Sequence, residues 1–379
     1  MKYYIIAGEA SGDLHGGNLI KALKSNDGNA QFRCWGGDYM QETSGSELVR
    51  HYKDTAYMGI IEVIKHLPSI FRNIKACKED ILRFNPDVVI LIDYPGFNLR
   101  IAQFLKKKGV KVFYYISPQV WAWHASRVPM MKKNIDELFV ILPFEQDFFA
   151  RYDWSVSYFG HPLLDAIDNE TKQENNSSDM QDLLHETGKP IIALLPGSRK
   201  QEVKRILPQM LTVQASFPDF QLVVAGVPSL PSSLYESVLQ GTPVPIVYGQ
   251  THQLLRRARA ALVASGTATL ETALLNVPQV VCYRANPISI AIARKLVKVP
   301  YISLVNLIAG KEVVKELIQQ AFNSVNLEKE LRPLLTEGSP KRTEMLREYE
   351  LLRRQLGGSG VSERVAANMI TLLKAGNHL

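Results

Sequence analysis

A carboxylate at the end of an apolar run is the first residue in this chain with a chemical use. Val88 to Ile92 are all β-branched or Leu, Asp93 follows, and Tyr94-Pro95-Gly96 then turns the chain away. Asp93 is therefore expected at the carboxyl end of a buried strand, where open α/β sheets bind ligands. It either caps a turn or the helix expected over Asn98–Lys107, or acts as a general base. Other glycine-bearing turns that look like ligand loops favour the base. One of these follows the apolar run Ile191–Leu195 as Pro196-Gly197-Ser198-Arg199. Ser198 is placed to cap a helix over Glu202–Gln214, whose free N–H groups and dipole suit an anion. Arg199 adds a bidentate phosphate donor, so a diphosphate site is favoured over a simple N-cap with a solvated Arg. Ser265-Gly266-Thr267 repeats the pattern after Ala260–Ala264. Glu271 lies one turn inside that helix, where a carboxylate repels phosphate but accepts hydrogen bonds from ribose hydroxyls.

The elements that must position these residues alternate strand and helix. Tyr3–Ala7 reads as a strand, Gly8 to Gly17 as a glycine loop carrying Glu9, Ser11 and Asp13, and Asn18 to about Lys24 as a helix. That loop has the spacing of neither the dinucleotide fingerprint nor a P-loop. Either it approaches a ligand or it is a turn capped by Ser11 or Asp13. Phe32–Gly37, Val110–Ile116 and Glu137–Leu142 supply further strands, and the β-α-β rhythm predicts a doubly wound sheet. Trp121, Trp123 and His124 cluster just past a strand end, as a substrate wall or as an aromatic plug. The polar stretch from about Asp168 to Lys189 reads as a linker to a second α/β unit. That unit continues through Leu222–Ala225, Pro245–Val247 and Val280–Tyr283, with a loop bearing Asn306. Charged Ser339–Leu356 and then Glu363–Lys374 read as closing helices broken at Gly357–Gly360. Tyr57–Arg72 is apolar with basic residues and Pro68, and covers the core or faces a membrane or acyl chains.

Composition narrows the class. At 379 residues the prior is two domains, and 46% hydrophobic with 21% charged residues is ordinary for a globular protein. A net charge of +7 suits an acidic partner such as a nucleotide diphosphate, a phosphorylated lipid, an anionic membrane or nucleic acid. Dispersed Lys and Arg, without interleaved aromatics, speak against nucleic acid. Cys34, Cys77 and Cys282 are far apart and form no metal or disulfide pattern, so they are expected as buried apolar residues. The chain opens on a strand, with no leader and no membrane-spanning run, and a cytoplasmic protein is expected.

Gly8–Asp13, Met58–Val63, Val120–Trp123, Leu195–Arg199, Ser265–Glu271 and Asn306–Gly310, in this order, closely resemble the motifs of the lipid-A-disaccharide synthase family. The resemblance covers essentially the whole chain. It implies two Rossmann-like α/β domains facing a cleft, the GT-B fold. Residues 1–167 would bind acceptor, completed by C-terminal helices over 341–379 that cross back, and 186–340 would bind the UDP-sugar. The implied reaction is inverting transfer of 2,3-diacylglucosamine from UDP-2,3-diacylglucosamine to the 6-hydroxyl of 2,3-diacylglucosamine 1-phosphate (lipid X). No metal and no cofactor are implied. Asp93 would be the base, Glu9 the alternative carboxylate, and Arg199 the stabiliser of the departing diphosphate. Gly197, Ser198, Arg199, Ser265, Gly266, Thr267, Glu271 and Asn306 match the donor site. Met58, Ile64, Leu67, Ile70, Phe71, Trp121 and Trp123 would meet acyl chains or the inner membrane. A homodimer with exchanged C-terminal segments is also implied. The chain departs from many members at Gly96, where they carry Asp, and at Ala10 and His124, where Thr and Arg are common. A UDP-sugar epimerase of the same architecture is the rival enzyme.

Overall fold

The computed structural model describes residues 1–54, 67–173, 188–286 and 299–376, in two units: Met1–Asn169 with Leu356–Leu379, and Glu170–Gln355. In the first, β1 (Lys2–Ala7), β2 (Gln31–Gly36), β3 (Leu48–His51), β4 (Val88–Ile92), β5 (Val112–Tyr115), β6 (Glu137–Val140) and β7 (Ser157–Tyr158) form one parallel sheet. Its order is β3-β2-β1-β4-β5-β6-β7. Continuous apolar strands suit a sheet covered on both faces, because successive side chains point to opposite sides. Tyr4, Ile6, Val89 and Leu91 pack into one core, and Tyr3, Ile5, Val88, Ile90 and Ile92 into the other.

The second unit repeats the plan with β8 (Ile191–Leu195), β9 (Gln221–Gly226), β10 (Ile246–Tyr248), β11 (Ala258–Ala264), β12 (Gln279–Tyr283) and β13 (Lys315–Ile318). Its parallel order is β10-β9-β8-β11-β12-β13. The expected fold class, two Rossmann-like α/β domains, is what is found. In each sheet the strand order reverses once, between β1 and β4 and between β8 and β11. Loops diverge there and leave a crevice beyond the strands' carboxyl ends.

Several local expectations change. Gly8–Gly17 is not a loop: a helix runs from Ala10 to Asn26 with Glu9 as its N-cap. Its glycines serve close packing, since a Cβ at Gly16 would lie 2.6 Å from Met40 Sδ and one at Gly17 2.2 Å from the Tyr39 ring. Buried Asp13 accepts N–H bonds from Gly37, Tyr39 and Met40, at 2.7, 3.2 and 3.1 Å, and so caps the next helix, Asp38–Ser44. Asn306 lies in a short helix, Leu304–Ala309, rather than a loop. The helix Pro340–Leu356 packs in the second unit instead of completing the first, its Tyr349 OH accepting from Gln279 Nε2 at 3.2 Å and its Arg353 reaching the Leu274 carbonyl at 3.0 Å.

Only the segment from Leu356 onward returns to the first unit. There Asp165 caps the terminal helix Val361–Gly376, its Oδ1 accepting from Gly360 N (2.7 Å) and Val361 N (3.0 Å) and its Oδ2 from Ser362 N (2.7 Å). Val361, Val365, Met369 and Leu373 of that helix enter the core. The expected linker lies mostly outside the described residues. The three cysteines are buried as expected.

Candidate active site

At the reversal point of the first unit, β4 delivers Asp93 and β1 delivers Glu9. Asp93 and Tyr94 both have left-handed backbones, φ +43° and +50°, a cost that persists only where surrounding bonds impose it. Here Asp93 N–H donates to the Tyr115 carbonyl at 3.2 Å. The Asp93 carbonyl accepts from Asn98 Nδ2 at 2.9 Å and from the Tyr114 hydroxyl. The main chain is thus held by three hydrogen bonds, none of which uses the Asp93 carboxylate. The Tyr94 ring closes over Gly8, where a Cβ would come within 2.2 Å of it. Burial pushes the Asp93 carboxyl up to about 7, and the nearby Glu9 charge adds to this, against the Tyr94 backbone N–H. Glu9 itself is half-buried and accepts from Ser11 Oγ at 2.9 Å.

Sequence reasoning missed Glu145, a fully buried carboxylate just past β6. Its Oε2 accepts from Ile141 N at 3.1 Å and Leu142 N at 2.9 Å. Burial lifts it to about 7, and Asp93 contributes to the rise. The Trp121 indole favours its ionised form, although Trp121 Nε1 makes no hydrogen bond of normal geometry. Trp121 packs edge-on against Phe144, while Trp123 is 52% exposed and lies against His124. The only hint in the sequence was a Glu soon after a strand end.

The second unit places Gly197–Arg199 after β8 and Ser265–Thr267 after β11, again flanking the reversal point. The loop after β8 differs from expectation. Arg199, not Ser198, is the N-cap, and the helix runs from Lys200 to Leu211. Glu202 folds back onto this start, its Oε2 accepting from Ser198 N (3.1 Å) and Arg199 N (3.2 Å). The N–H groups offered to an anion are therefore engaged in a capping box, and a phosphate there competes with an internal carboxylate. Gly197, at φ +106°, makes room for that carboxylate: a Cβ would sit 2.4 Å from Glu202 Oε2. The Arg199 side chain is 60% exposed and only 3.5 Å from Glu202 Oε1.

Ser265 Oγ donates to the Ile302 carbonyl at 2.9 Å, so its hydroxyl ties down the turn, and Gly266 is the N-cap of the helix Thr267–Leu274. Glu271 pairs with His252 Nε2 at 3.4 Å, a partner that sequence reasoning did not find. Asn306 is fully buried. Its Nδ2 donates to the Val314 carbonyl and Glu316 Oε1, both at 2.9 Å, and its Oδ1 accepts from Val313 N (2.8 Å) and Val314 N (2.9 Å). With its side chain so occupied, Asn306 fastens the loops around Ser303 and Glu316 instead of offering groups to a ligand.

Met58 and Ile64 lie outside the described residues. Ile70 is half-buried and Phe71 is 56% exposed, with the Arg100 guanidinium 5.4 Å from its ring centre. Among the described residues no helix is long and apolar enough to cross a membrane, and no group of three or more His, Cys, Asp or Glu could hold a metal ion.

Two parallel sheets, each with ligand-type loops at its reversal point, define the GT-B-like class of two-domain folds. A solved UDP-GlcNAc 2-epimerase from Neisseria meningitidis superposes with a TM-score of 0.70 over 98% of this chain and 100% of that one, at 13% identity. That likeness carries the fold alone. Sequence gives the family: residues 3–368 match the model of lipid-A-disaccharide synthetase. The lipid-A-disaccharide synthases of Syntrophus aciditrophicus and Trichlorobacter lovleyi are 40% and 37% identical, each over 98% of this chain and 97% of the relative. This chain belongs to the lipid-A-disaccharide synthase family, a family of glycosyltransferases.

Proposed function

We propose that this enzyme transfers 2,3-diacylglucosamine from UDP-2,3-diacylglucosamine to the 6-hydroxyl of 2,3-diacylglucosamine 1-phosphate, with inversion at the anomeric carbon. The observation that carries the reading is Asp93, a partly buried carboxylate whose backbone is immobilised and whose affinity for a proton is poised near neutrality. A base is most useful when its pKa lies near the working pH. The Asp93 carboxylate takes the proton from the acceptor hydroxyl as that oxygen attacks the anomeric carbon. The bond from that carbon to the diphosphate oxygen breaks, and UDP leaves with the electron pair. Glu9 serves as the second charge that keeps Asp93 basic. Arg199 is exposed and leaves its ion pair with Glu202 for the diphosphate, where a bidentate guanidinium neutralises the charge that builds on departure. The turn Ser265–Thr267 takes phosphate oxygens and Glu271 the ribose hydroxyls, Gly197 and Ser198 shape the diphosphate loop, and Asn306 acts by positioning.

Phe71, Ile70 and Trp123 offer apolar surface to acyl chains or to the inner membrane on the cytoplasmic side. The glycine-bearing break at Gly357–Gly360 supplies the hinge for a homodimer that exchanges the capped terminal helix. The test is UDP release from the two lipid substrates in detergent with chelator. Wild-type turnover that collapses in Asp93→Asn, with UDP binding retained, supports the reading. Undiminished turnover in the variant removes Asp93 as the base.

A further inference from the structure

Two carboxylates stand near helix starts in the second unit, and they are held in opposite ways. Glu202, in the first turn of its helix, bends back and occupies the N–H groups of Ser198 and Arg199. Glu271 lies two positions further into its helix, and helical side chains lean toward the N-terminus, over the preceding turn. Left to itself it would be drawn toward the N–H groups of Gly266 and Thr267, the Ser265 N–H being engaged by the Cys282 carbonyl at 3.2 Å. Yet among the described residues its carboxylate makes no hydrogen bond to that turn. His252, near the start of the helix Thr251–Arg257 that follows β10, meets Glu271 Oε2 through Nε2 at 3.4 Å. The imidazole is only 10% exposed and the carboxylate 22% exposed, so the pair is anchored on one side and open on the other.

We propose that His252 is a positioning residue: it holds the Glu271 carboxylate off its own helix start, turned toward the hydroxyls of a nucleotide ribose. The Gly266 and Thr267 N–H groups then stay available for phosphate, while Glu271 presents an oriented acceptor. The site thereby selects a ribonucleoside diphosphate over one lacking the ribose hydroxyls, because an oriented, partly desolvated acceptor left without its donor costs binding. This rests on the donor-site role of Glu271 proposed above.

The test is calorimetric titration of the full chain with UDP and with 2′,3′-dideoxy-UDP, for wild type, His252→Ala and His252→Gln. Wild type should prefer UDP by about tenfold or more, the worth of one charge-assisted hydrogen bond. His252→Ala should lose most of that preference by weakening UDP alone. His252→Gln, whose amide can still donate to Glu271, should recover much of it. A merely structural role would weaken both ligands equally and leave the preference intact, and that result overturns the proposal. Wild type that binds both ligands equally instead overturns the ribose role of Glu271 itself.

Discussion

Replacing Asp93 by Asn should stabilise the protein at alkaline pH while abolishing its base. The carboxyl moves from an ordinary 3.8 to about 7 in the fold, chiefly through burial and then through Glu9. Because the folded value lies above the unfolded one, the penalty is absent at low pH and grows as pH rises from about 3.8 to about 7. Full ionisation then costs ~4 kcal/mol, which solvent reaching the partly buried group cuts to about 2. Asn keeps the shape and tolerates the left-handed backbone as well as Asp does, so the variant isolates the charge. All four tryptophans, Trp35, Trp121, Trp123 and Trp154, lie in the first unit, so their fluorescence reports its urea unfolding alone. Asp93→Asn should unfold at higher urea than wild type at pH 8, with the gap falling to less than half at pH 5. No gap at pH 8, or a gap of equal size at both pH values, would refute the account of Asp93 as a destabilised, poised base.

Arg199→Lys keeps the charge but loses the planar fork; UDP release should slow about 100-fold with the urea midpoint unchanged, as steady-state rates and unfolding followed by far-ultraviolet circular dichroism will show. Asp165→Ala leaves the N–H groups of Gly360, Val361 and Ser362 without an acceptor, destabilising the first unit by about 3 kcal/mol; limited proteolysis should then cut faster at Gly357–Gly360. His161 is held neutral by burial and by neighbouring His15, its value lowered from 6.5 to about 3. Stability from this neutral imidazole is complete above pH 6.5 and lost as pH falls, by ~1.4 kcal/mol per pH unit. His161→Asn should flatten the acid limb of stability against pH by about that slope.

What could be read from the chain followed from contiguous signals. Asp93 was legible because an apolar run and a turn bracket it, and β8 and β11 announced their loops in the same way. A doubly wound sheet and a second α/β unit followed from that rhythm, and the GT-B plan from the family resemblance. Glycine was ambiguous: at Gly16 and Gly17 it serves packing against Met40 and Tyr39, which only the folded chain brings near. Glu202 was counted as a helix residue, although its capping of Ser198 and Arg199 changes what the loop offers. Glu145 and His252 escaped because their roles depend on neighbours far along the chain, Asp93 in one case and Glu271 in the other. Asn306 was matched to the donor site by the family resemblance alone, since a polar residue in an apolar motif reads the same whether it binds outward or ties loops inward. The helix Pro340–Leu356 was assigned to the wrong unit because its charged sequence does not reveal its contact with Gln279.

The return of the terminal helix to the first unit has a consequence for synthesis. The core built around β1 and β4 receives Val361, Val365, Met369 and Leu373 from residues translated after the whole of the second unit. Domains generally fold as they emerge from the ribosome, N-terminal first. In this chain that order is inverted at the final step. The second unit has all its strands before the first has its last helix and the Asp165 cap. A nascent chain stalled near Gly357 would carry a nearly finished first unit with an open apolar face, a natural client for chaperones.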